Sequence, residues 1–190
     1  SRAVFDVEVE LIRGVGDNTR SFRLHPGVAL KPASNLFIQL SPSYSRDRDP
    51  AQYVTEVDDP TATAFFGSRY VFGHIKTTTV SLDTRVNWTF TPDLTLQLYA
   101  QPFIASGKYT SFREFAAPRS ITKLVYGQDL GTIAYDPATS SYRVDPDGAG
   151  PAASFTFDNP DFTTASLRGT AVLRWEYRPG SSVFAIWSHG

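Results

Sequence analysis

The sequence predicts an all-β protein, an antiparallel up-and-down meander with about seven strands visible. Three observations carry this. Apolar residues recur with period two wherever periodicity can be read, and no window sustains the i, i+3, i+4, i+7 pattern of an amphipathic helix. Short Pro-containing turns alternate along the chain with long polar connections. The apolar-alternating windows hold about 9 to 11 residues, longer than the roughly 5 to 6 of an average globular strand.

The first strand alternates Phe5, Val7, Val9 and Leu11 with Asp6, Glu8 and Glu10. The Gly-rich bend "GVGDN" returns it into Phe22, Leu24, Val28 and Leu30, set against Arg23, His25 and Ala29. "KPASN" turns into Leu36, Ile38 and Leu40, with Tyr44 in step. A polar stretch at about 46–68 then reads as a long loop. The next strand places Thr78, Val80, Leu82, Thr84, Val86, Trp88 and Phe90 on one parity, and Thr79, Ser81, Asp83, Arg85 and Asn87 on the other. "TPD" sends it back as Leu94, Leu96, Leu98, Ala100 and Ile104, opposite Thr95, Gln97, Tyr99 and Gln101. A second long loop, rich in Pro, Gly, Asp and Ser, is expected at about 107–160. A further strand sets Leu167, Gly169, Ala171, Leu173, Trp175 and Tyr177 against Arg168, Thr170, Arg174 and Glu176, and "RPGS" leads into Val183 to Ser188. The segments "VALKPASNLFIQLSPSYS", "VNWTFTPDLTLQLYAQPF" and "LRWEYRPGSSVFAIWS" repeat one plan of strand, tight turn, strand. Tight turns therefore share one end of the sheet and long loops the other, within a single unit over 1–190.

Bulk properties narrow the functional classes. A net charge of −1 and 19% charged residues argue against a nucleic-acid surface and against an acidic disordered tail. The absence of cysteine removes disulfides and thiolate metal sites. With no methionine and a Ser-Arg-Ala start, the chain is expected to be a processed product or a piece of a longer one. No run approaches the roughly 18 apolar residues of a spanning helix, a test that leaves β-barrels untouched.

Within the apolar windows every charged residue falls on the parity opposite the apolar one. A half-buried soluble sheet would show the same alternation. Strand length, loop asymmetry and aromatics near the short turns favour an outer-membrane β-barrel or a fragment of one, whose strands need about 9 to 11 residues to cross. On that reading Val80, Leu82, Val86, Leu94, Leu96, Leu98 and Leu173 face membrane lipid. Trp88, Phe90, Trp175, Tyr177 and Phe184 form an interfacial girdle, while Asp83, Arg85, Arg174 and Glu176 form a charged network facing the lumen. His74 and Lys76 share the apolar parity and are expected above the membrane on the long-loop side.

The words "PSYSRDRDPAQYV", "RYVFGHI", "FTPDLTLQLYAQPF", "VDPDGAGPAASFTFDNPDF" and "SLRGTAVLRWEYRPGSSVF", in this order, resemble the C-terminal region of the bacterial domain-of-unknown-function family 5916. The resemblance covers about 40–190. It implies a bacterial outer-membrane location, a barrel architecture, and an N-terminal carbohydrate-binding family 9-like domain as a partner in the full-length protein. It implies no established activity, and no sugar-binding residue of that domain lies in this chain.

Candidate chemistry is sparse. "DPDGAG" offers Asp145 and Asp147 in the opening pattern of a calcium loop, yet the twelfth position is Thr156 rather than Glu, so a Pro/Gly turn is the expected reading. "EVDDP" at 56–60 reads as an acidic loop. His25, His74 and His189 have no zinc spacing, and there is no Gly-x-Ser-x-Gly elbow. Tyr53, Phe65, Phe66, Tyr70, Phe112 and Phe115 lie in or beside the long loops, where they would stack on a ligand or pack together. The expectation is a non-catalytic barrel segment without cofactor, the anchor or conduit of a larger surface or periplasmic protein handling glycans. The competing expectation is a soluble β-sandwich or open barrel that binds carbohydrate through its loops.

Overall fold

The computed structural model describes residues 2–14 and 18–190. Among the described residues seven long strands form the main sheet: β1 (Arg2–Arg13), β2 (Arg20–Ala33), β3 (Leu36–Asp58), β4 (Ser68–Thr91), β5 (Leu94–Phe115), β10 (Phe162–Arg178) and β11 (Ser181–His189). Between β5 and β10 lie the short strands β6 (Lys123–Val125), β7 (Thr132–Asp136), β8 (Ser141–Asp145) and β9 (Phe155–Asp158). The sheet order is β1-β2-β3-β4-β5-β10-β11, every pair antiparallel, with β6 added beside the upper end of β5. This is the predicted up-and-down meander. It is not closed, and because directions alternate over seven strands, its two edge strands β1 and β11 run the same way.

All three predicted tight turns hold two residues: 34–35, 92–93 and 179–180. The last has Pro179 followed by Gly180 at φ 77°, the order a type II turn requires because its third residue sits where a Cβ is unwelcome. Backbone bonds tie neighbouring turns together: Thr89 donates to the Asn35 carbonyl and Glu176 to the Asp93 carbonyl, each at about 2.8–2.9 Å. Residues 15–17 of the "GVGDN" bend lie outside the described residues. Its flanks pair in register down to Arg13 opposite Arg20.

Both predicted long loops are corrected by the structure. The stretch at 46–68 is mostly strand: β3 runs on to Asp58 and pairs with β4 from Ser68 upward, leaving only 59–67 as a connection. Its polar side chains hid the strand, because alternation of apolar residues was the only strand signal available and this end of the sheet lacks it. Bulges after Asp49 and Tyr53 also break the parity of β3 there. The stretch at 107–160 likewise begins as strand, with β5 extending to Phe115, and then builds the three-stranded sheet β7-β8-β9. At 22 to 24 residues, β3, β4 and β5 greatly exceed the 9 to 11 that crossing a bilayer needs.

The cluster of buried apolar residues sits at this long-loop end. Val71 of β4 and Phe112 of β5 pack with Tyr126, Val144 of β8 and Phe157 of β9. Ring contacts bind it, Phe112 lying edge-on 5.0 Å from Phe157 and tilted 4.6 Å from Tyr142. A bulge in β5 near Ser111, whose φ is 51°, turns Phe112 onto the face carried by Val71. Because β4 keeps its parity from Val71 to Asp83, the small sheet covers the upper end of the same face that carries Asp83 and Arg85 lower down. Among the described residues no strand covers the opposite, apolar face; only at its long-loop end does Phe65 of the 59–67 connection pack on it, against Tyr70.

Candidate functional site

Cross-strand register sorts the side chains of the main sheet into two walls. On the polar wall, Asp6, Glu8 and Glu10 of β1 lie opposite Gly27, His25 and Arg23 of β2. Further along the same rows come Ser41, Ser43 and Ser45 of β3, Ser81 and Asp83 of β4, Gln101 of β5 and Arg168 of β10. Small residues leave room over the middle strands, and the long polar side chains reach across it. Asp6 extends over Gly27, where an added Cβ would lie 2.4 Å from its carboxylate oxygen.

The four residues expected to form a charged network are split into two groups. Asp83 accepts hydrogen bonds from the Tyr99 hydroxyl at 2.7 Å and from Gln101 at 3.0 Å. Arg85 lies over the Tyr99 ring, 5.8 Å from its centroid. Arg174 and Glu176 pair with each other at 2.9 Å, and Glu176 also accepts the Gly180 amide. The register explains the split: Arg174 sits opposite Thr95, which sits opposite Thr89, two rows nearer the tight turns than Arg85. The wall carries further polar pairs, Arg23 with Glu10 at 2.9 Å and the Ser21 hydroxyl with Asp47. These hydrogen bonds fix the polar groups of this wall in place.

The apolar wall is exposed. Val80 is 48% and Leu173 37% exposed, and Leu82, Val86, Leu94, Leu96 and Leu98 are half-buried by their own neighbours in the sheet. The edge strands expose still more, with Phe5 at 70% and Leu11 at 75%. Trp88, Phe90, Trp175 and Tyr177 are all exposed and lie at one level. Trp88 faces Leu96, Leu96 faces Leu173, and the Trp88 and Phe90 rings are 4.3 Å apart. Phe184 lies elsewhere, because it pairs with Arg174 and therefore stands on the polar parity.

Beyond the core the cap holds a buried polar cluster that sequence reasoning missed. Arg69 donates from Nε to Asp59 at 2.5 Å and from Nη1 to Glu114 at 2.8 Å, and the Tyr126 hydroxyl donates to Glu114 at 2.7 Å. Asp59 is only 5% exposed. Burial alone would raise its carboxyl, but the bonds from Thr61 and Arg69 outweigh burial and hold it below the usual carboxylate range. Burial and the Glu114 carboxylate push the Tyr126 phenol far up, so it stays protonated as a donor. "EVDDP" is thus a strut rather than an acidic loop, and only the pairing with Arg69, ten residues on, reveals it. Of the loop aromatics, Phe112 is core, Phe66 is fully exposed, and Phe65, Tyr70 and Phe115 line a cleft of about 250 Å³ beside Arg69. Asp145 and Asp147 accept the amides of Gly148 and Ala152, the geometry of a turn. Among the described residues no group of three metal-ligating side chains occurs, and no helix is long and apolar enough to cross a membrane.

Comparison of the chain with protein-family models, with curated proteins and with solved structures gave no match.

Proposed function

We propose that this chain forms part of the wall of a bacterial outer-membrane β-barrel, non-catalytic, serving as anchor or conduit of a larger surface or periplasmic protein. One observation carries the reading: among the described residues the buried cluster lies at the long-loop end, while no strand covers the apolar band between it and the tight turns. In water such a surface would far exceed the few hundred Å² of apolar patch that soluble monomers tolerate. In hydrocarbon it is the required surface, and strands survive there only when their backbone groups are paired along the sheet. From Phe90 to Val80 the apolar parity of β4 spans about 25 Å once strands are tilted, the height of the lipid-facing band of known barrels. The resemblance described above supports the same location. The polar wall then faces the lumen, where its hydrogen-bonded charges brace the structure.

The test is depth-dependent quenching of Trp88 and Trp175 by brominated lipids after reconstitution, alongside behaviour in buffer without amphiphile. Quenching near the interface together with aggregation in plain buffer is expected. A monodisperse protein in buffer, with both indoles unquenched by lipid, would instead establish a soluble β protein.

A further inference from the structure

Register brings together a set of cations that no single strand reveals. Arg13 lies opposite Arg20, Arg20 opposite Arg48, Arg48 opposite Lys76, and Lys76 opposite Lys108. Five adjacent strands therefore place a positive side chain at one level. Directly opposed residues share a face, and this face is the apolar one. Leu11 precedes Arg13 on its parity, Phe22 follows Arg20, Val80 follows Lys76 by two steps, and Ile104 precedes Lys108 by two. Arg46, opposite Phe22 and Thr78, adds a sixth cation one step nearer the apolar band.

Arg13, Arg20, Arg46 and Arg48 line one cleft of about 280 Å³ together with Leu11 and Phe22. Among the described residues none of these four arginines takes part in an ion pair, and Lys108 has only a long contact of 3.9 Å with Asp161. Two members of the row, Lys76 and Arg48, act on a neighbouring imidazole. The His74 imidazole, next outward from Lys76, is held below its ordinary value by burial and by Lys76, Arg113 and Arg48, against the opposing pull of Asp49. Like charges set directly opposite one another destabilise a sheet, so this row opposes its own fold unless an anion sits on it.

We propose that the row binds the phosphate groups of anionic lipids whose acyl chains lie along the apolar band beneath it. The inference rests on the barrel reading and names the lipid class that the wall selects. Guanidinium forks take phosphate oxygens two at a time, and neighbouring strands, about 4.8 Å apart, let one phosphate reach two arginines. Leu11 and Phe22, at the foot of the cleft, meet the first carbons of the chain. The aromatic row at the tight-turn end and the cationic row at the long-loop end thus bound the apolar band on both sides, with different chemistry at each border.

The experiment compares the wild-type chain with R20Q/R48Q and with R13Q/R46Q. Binding is measured to vesicles of phosphatidylcholine alone and of equal parts phosphatidylcholine and phosphatidylglycerol, with inorganic phosphate on detergent-solubilised protein as a third arm. Wild type should bind the mixed vesicles more tightly, and each neutralised arginine should remove roughly fivefold of that gain. Binding to phosphatidylcholine should be unchanged, and the gain should shrink as salt is raised. Both variants should resist denaturant in neutral detergent at least as well as wild type, because like-charge repulsion has been removed; a merely structural role would lower their resistance. Equal binding to the two vesicle types, or a gain that survives both variants, overturns the proposal and leaves the barrel reading intact. Tight inorganic phosphate binding without a vesicle preference assigns the row to a free anion and overturns the lipid claim. Failure to bind either vesicle, with Trp88 unquenched, overturns the barrel reading and the lipid site with it.

Discussion

The same two strands, β4 and β5, pass through two regions built on opposite principles. At the long-loop end their side chains meet a second layer, and Val71 and Phe112 are buried among rings from β8 and β9. Nearer the tight turns those strands present Val80, Val86, Leu96 and Leu98 on a face that no strand covers among the described residues. Composition does not separate the regions, since both are rich in Val, Leu and aromatic residues. What separates them is whether the chain folds back over the sheet. The cap supplies its own apolar environment, whereas the band, on the barrel reading proposed above, takes one from the surrounding medium. Stability in the first should depend on packing, and in the second on the solvent.

The largest effect that would break this contrast is expected in the cap. Phe112→Ala should cost about 3–5 kcal/mol of cap stability, because the ring is nearly fully buried and its neighbours close only partly on the void. Hydrogen exchange of β7 to β9 amides measures it, and undiminished protection would show that Phe112 is not the keystone of the cap. A smaller effect sharpens the other half. Leu98→Arg, facing Val86 and Ala171 in the middle of the band, should cost roughly 2–4 kcal/mol in bilayers. On a water-facing wall the same change would be close to neutral, so refolding titrations in lipid and in aqueous buffer decide between them.

The smallest effect is in pH dependence. Asp59 has a folded-state pKa below its unfolded value, so the stabilisation it gives is fully present above the unfolded carboxylate pKa of about 3.9. That stabilisation should fade as pH falls through the depressed folded value. Cap amides should therefore begin to exchange faster below about pH 4, and Asp59→Asn should flatten that dependence. An unchanged acid profile in the variant would mean that another carboxylate governs the cap.

The meander was legible because a sheet with one uniform apolar face writes period two into the sequence, as β1, β4 and β10 do. The tight turns were equally plain, since Pro92 and the Pro179-Gly180 pair mark them directly. Strand was invisible where that uniformity ends. From Arg46 to Asp58 the partner face is polar and bulged, so period and parity both fail. The cap core was hidden because Phe112, Val144 and Phe157 come from separate segments and meet only through a bulge and two short hairpins. Asp83, Arg85, Arg174 and Glu176 share one parity, which the sequence displays, but their partners depend on register, which it does not. The same limit concealed the cationic row. Each of its members closes one apolar window, and only the pairing of Arg13 through Lys108 aligns them.

The odd strand count has a consequence for assembly. Since β1 and β11 point the same way, joining them directly would create a parallel seam in an otherwise antiparallel wall, as would placing two identically oriented copies side by side in a ring. A cylinder with antiparallel neighbours throughout becomes geometrically available only when one, three or another odd number of extra staves is inserted between those borders. Each such stave would have to repeat the apolar and polar alternation of β1.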